Sequence, residues 1–69
     1  MTNYIVSDWT NRHTSDGSWH WRAVMHTNSI TAARKFAGPE SIVTEHSFED
    51  ACAIYNSRVL PEAALARVV

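Results

Sequence analysis

The chain has 69 residues, 45% of them apolar, with a net charge of −1, one cysteine, two glycines and two prolines. That length allows one compact domain over residues 1–69, burying about 60% of the surface exposed when unfolded, and the composition excludes disordered and collagen-like chains. No apolar run approaches the roughly 18 residues of a membrane span, Cys52 has no partner for a disulfide, and MTNYIVSD lacks the basic start and apolar run of a signal peptide, so the sequence predicts a soluble cytoplasmic domain.

In chain order, NYIVSDW (residues 3–9) has the β-branched and aromatic content of a strand, and the polar run TNRHTSDG that follows is a loop, with Asp16 and Gly17 as its turn. SWHWRAVMHT (residues 18–27) alternates with period two: Trp19, Trp21, Ala23 and Met25 fall on one side, His20, Arg22, Val24 and His26 on the other. The first set reads as the face the helices cover, since two tryptophans can each bury on the order of 200 Å². NSITAARKFAG predicts a short helix capped by Ser29 or Asn28, with Ile30, Ala33, Phe36 and Ala37 inward and Gly38-Pro39 as its stop. SIVTEHS (residues 41–47) predicts a third strand. Ser47 then caps a helix over SFEDACAIYNS whose stripe is Phe48, Ala51, Cys52 and Tyr55, with Glu49 and Asp50 in the first turn, where the helix dipole favours acids. RVLPEAALARVV predicts a last short helix starting at Pro61, with Leu60, Ala64, Leu65 and Val68 for packing.

The expected fold is therefore α+β, in the order β-β-α-β-α-α: a three-stranded, mainly antiparallel sheet with two or three short helices on one face. The eight-residue first connection favours an antiparallel pair of first strands, and the crossover helix lays the third parallel to the second, on the far side of the first.

The side chains of catalysis are not arranged for it. There is no nucleophile elbow, glycine-rich phosphate loop, HExxH or CxxC, and Cys52 falls on an apolar helix stripe, where a thiol is ordinarily inert. His20 and His26 stand roughly 20 Å apart along one strand, too far to share an ion. The sequence thus points to a non-enzyme without metal or cofactor. What remains for function is surface. His20, Arg22 and His26, with Arg12 and His13 at the rim, form the candidate binding face, because Arg and ring side chains become anchors when a partner desolvates them. The competing surface is acidic: Glu40, Glu45, Glu49 and Asp50, with no basic residue between Lys35 and Arg58. Residues 1–38 sum to +2 and residues 39–69 to −3, well short of the basic balance of a general nucleic-acid binder, so binding to free nucleic acid is not expected.

The opening MTNYIV, a polar loop, a second strand, and NSITAARKFAG leading into a small alanine-rich helix make a layout that resembles small phage and mobile-element proteins, among them type I anti-CRISPR proteins. The resemblance covers residues 1–38 and carries over no functional residue by position. It implies a non-enzymatic inhibitor that binds a crRNA-guided, Cascade-type complex of a bacterial host, or the nuclease it recruits, and blocks DNA recognition or cleavage. The alternative is a small nucleic-acid-associated regulator that places Arg12, Arg22, Arg34 and Lys35 on phosphates.

Overall fold

A computed structural model describes all 69 residues. Its elements are β1 (Thr2–Thr10), β2 (His20–Thr27), α1 (Ile30–Phe36), β3 (Ser41–Ser47), α2 (Phe48–Ser57) and a 3-10 turn over Glu62–Arg67. The sheet order is β2-β1-β3, and β1 is antiparallel to both neighbours. β2 and β3 therefore run the same way on opposite sides of β1, as the crossover helix requires. The caps are those expected: the Ala32 N–H donates to Ser29 Oγ at 3.1 Å, and the Asp50 N–H to Ser47 Oγ at 3.2 Å.

The helices do not share a face. Alternation along β1 sends Ile5 to one side and Val6 to the other, and each is fully buried. Ile5 packs with Ala23, with Ala51 and Ile54 of α2, and with Leu60 and Ala64, whereas Val6 packs with Val43 and with Ala33 of α1. A three-stranded sheet in so short a chain buries enough surface only when both faces are covered, and the crossover carries α1 over the face that α2 leaves bare.

β2 departs from simple alternation for a local reason. Val6 pairs with Met25 while Ser7 pairs with Ala23, so Val24 is the extra residue of a β-bulge. Val24 and Met25 both pack on the α1 side, Trp21 and Ala23 on the α2 side. The expected row His20, Arg22, Val24, His26 is thereby broken. Beyond the bulge, His26 joins the α2 side, where it bonds Asn3 Oδ1 through Nδ1 at 3.2 Å and lies 4.9 Å from the Tyr55 ring.

Several apolar residues assigned to packing stand in solvent instead: Phe36, Phe48, Leu65 and Val68 are exposed, and Trp19 is 56% exposed. Ile54, one turn from Ala51, takes the place expected of Phe48 in the α2 stripe, while Cys52 and Tyr55 are half-buried. Arg58 ends α2 in the left-handed region at φ 65° and lays its guanidinium 3.9 Å from the Tyr55 ring centroid.

Both outer strands are partly covered by the chain's own tail. The Ala23 N–H donates to Arg58 O at 2.9 Å and the Leu60 N–H to Trp21 O at 3.0 Å, while the Val69 N–H donates to Val43 O at 3.0 Å.

Candidate functional site: a tryptophan and arginine pole

The site lies where β1 ends, β2 begins and β3 begins. Cross-strand pairing puts Trp9 directly opposite Trp21, and the two rings meet with centroids 5.1 Å apart, tilted by 52°. Trp19, just ahead of β2, stacks on the outer side of Trp9 at 5.9 Å and 20°. The loop that delivers it is fixed by local bonds. Gly17 takes φ 74°, which a side chain would strain; the Ser18 N–H donates to Asp16 Oδ1 at 3.0 Å; and Thr14 Oγ1 donates to Ser18 O at 2.9 Å. All three tryptophans of the chain thus converge, and Trp9 remains 47% exposed.

On the α1 side of this pole a groove of about 780 Å³ runs between the β1–β2 loop and the α1–β3 loop. Arg12, His13 and Arg22 line it together with Asp8, Glu40 and the two outer tryptophans. Desolvation first, then the neighbouring Arg22, His20 and Arg12, hold His13 below the ordinary histidine range. His20 Nδ1 is buried without a hydrogen-bond partner. The opposite wall is ordered by Ser41, whose Oγ donates to Asp8 Oδ1 at 2.5 Å and accepts from the Gly38 N–H at 3.0 Å.

Of the five residues expected on the basic face, Arg12, His13 and Arg22 line this groove, and His20 opens β2 opposite Thr10. His26 lies away from it, because the bulge turns it to the α2 side. The acidic residues do not make one surface. Glu40 lines the groove, Glu45 sits on β3 opposite Tyr4, and Glu49 and Asp50 occupy the first turn of α2. Trp9 and Asp8 were not legible as site residues. The signal was present in the tryptophan that closes the first strand, yet only strand register shows that it meets Trp21.

A second hollow, of about 500 Å³, lies between α2 and the 3-10 turn and includes His46, Asp50 and Arg67. His46 is buried, its Nε2 2.7 Å from Thr44 Oγ1. Burial first and then Arg67 lower its pKa, against the opposing pull of Asp50 and Glu45. With its folded pKa below the ordinary 6.5, the unfolded chain binds more protons between those two values. The contribution of His46 is therefore full above pH 6.5 and is lost as the pH falls from there toward the folded value. Thermal melts from pH 7.5 to 5 are expected to show a decline below 6.5 that His46→Gln flattens; an unchanged slope in the variant would assign the decline to other groups.

No group of three or more His, Cys, Asp or Glu side chains is placed to hold a metal ion, and no helix is long and apolar enough to cross a membrane. Comparison with protein-family models, with curated proteins and with solved structures gives no match.

Proposed function

We propose that this protein acts without catalysis in the bacterial cytoplasm, docking its tryptophan and arginine pole on a host protein complex and occluding it, in the manner of type I anti-CRISPR proteins. The complex would be a crRNA-guided surveillance assembly or the nuclease it recruits. One observation carries the reading: half-exposed Trp9 and Trp19 are flanked by charges of both signs, Arg12 and Arg22 with Asp8 and Glu40. Exposed tryptophan beside arginine is the composition of interface anchors, and a polypeptide partner can answer both signs. Nucleic acid offers only negative charge, which Asp8 and Glu40 oppose.

Aromatic rings beside arginine also serve single-strand binders, and Arg34 and Lys35 are exposed in the last turn of α1. That gives the second reading its footing. The two separate in one experiment. A purified type I surveillance complex is mixed with the protein, passed over a sizing column and challenged with target duplex. Co-elution, loss of duplex binding or of nuclease recruitment, and no retention of free DNA are expected. Failure to co-elute, together with direct DNA binding that weakens steeply with salt, would replace occlusion by the regulator reading.

A further inference from the structure

We infer that the hollow bordered by Trp9, Trp19, Trp21 and Glu40 is a cation site, and that its occupant is a lysine or arginine side chain presented by the protein partner. The inference rests on the reading of this pole as a protein-docking surface. The hollow has a volume of about 510 Å³, and only these four residues line it. Three of its four lining residues are tryptophans, whose rings carry negative quadrupole potential on their faces, and the fourth brings a carboxylate. Both features favour a positive group.

The charge arrangement selects against the alternatives. An apolar side chain filling the hollow would strip water from Glu40 without returning a hydrogen bond or a counter-charge, which costs free energy. A phosphate or carboxylate would meet Glu40 directly. A nucleobase could stack on the indoles, but its phosphates would meet the same repulsion. Arg12, His13 and Arg22 line the neighbouring groove and not the hollow, while Trp9, Trp19 and Glu40 border both. The guanidinium groups thus border the groove alone, and Trp21 alone of the four tryptophan and glutamate residues borders only the hollow. A partner segment carrying a cation and an acid a few residues apart would satisfy groove and hollow together.

The test compares molecules of equal shape and different charge. Choline and its uncharged isostere 3,3-dimethylbutan-1-ol are titrated against the intact protein while the indole N–H resonances are followed, alongside the capped tripeptides acetyl-Gly-Lys-Gly-amide and acetyl-Gly-Arg-Gly-amide and a ten-residue thymidine oligonucleotide. The Trp9 and Trp19 resonances are expected to move with choline and with both tripeptides at affinities at least tenfold above the isostere. Glu40→Gln, at an exposed loop position, is expected to weaken those responses about fivefold while the melting temperature stays put. Equal binding of isostere and choline, or indifference to Glu40→Gln, would overturn the cation site. Choline bound more than tenfold tighter than both tripeptides would reassign the occupant to a small quaternary amine, and displacement of the tripeptides by the oligonucleotide would overturn the protein partner. A cation response that survives while the surveillance complex is unaffected would remove occlusion and leave the site standing.

Discussion

Ile5→Ala is expected to be the most damaging single truncation in the chain, lowering stability by about 3 to 4 kcal/mol. Ile5 sits on the central strand with Thr44 on one side and His26 on the other, it is fully buried, and it joins residues from β2, α2 and the tail into one cluster. Removing its branched end leaves a void with walls from β2, α2 and the tail, none free to collapse into it because each is held elsewhere. A domain of this size commands roughly 5 kcal/mol in all, so the variant should keep only about 1 to 2 kcal/mol. Urea unfolding followed by tryptophan fluorescence gives the number, and the same series ranks the tryptophans. Trp21, half-buried against the same cluster, should cost about 2 to 3 kcal/mol as alanine, whereas the more exposed Trp19 should cost under about 1 kcal/mol. A Trp19→Ala penalty equal to that of Ile5→Ala would mean that the outer indole is core and not surface.

The second large effect is on affinity. The pair Trp19→Ala and Arg22→Gln should leave the fold within about 1 kcal/mol of the parent and weaken binding to the target complex by at least about 2 kcal/mol for each change, the usual size of a tryptophan or arginine anchor. Competition binding against labelled parent protein measures this directly. Glu45→Gln and Glu49→Gln provide the control, since both lie away from the pole, and they should bind as the parent does. Equal inhibition by the double variant, with loss of binding in the acidic variants, would move the contact to the carboxylate side. His26 does not belong in such a series, because its bond to Asn3 and its ring contact with Tyr55 tie it to the fold, and replacing it would confound affinity with stability.

The success and failure of the sequence reading separate along a physical line. Helix starts were legible because a serine accepting a bond from an amide three residues on is a local event, and Ser29 and Ser47 each do so. The three strands were legible for the same reason, through short β-branched and aromatic runs. The bulge at Val24 was not, because both Val24 and Met25 are apolar and alternation alone fits either face; what decides is the pairing with Val6 and Ser7, a property of two strands together. The same applies to the site. Arg12, His13, His20 and Arg22 could be gathered from one loop and the strand after it. Trp9 and Glu40 come from other parts of the chain and join them only through register and crossover. The exposure of Phe36 and Phe48 was hidden by period as well: both fit an inward stripe, and Ala33, Ala51 and Ile54 already fill the space beneath the helices.

The tail's hold on the two outer strands bears on how the protein behaves in a crowded solution. A sheet whose margins lie open can recruit any passing extended chain, and such recruitment is how ordered aggregates nucleate. Here a stranger arriving at β2 finds Arg58 and Leu60 in place, and one arriving at β3 finds Val69. At these positions, growth of a fibril must wait for the molecule to loosen its own hem, a local opening rarer than a collision. Its exposed indoles can therefore be sticky toward a chosen target while the middle of each outer strand is closed to other copies of itself.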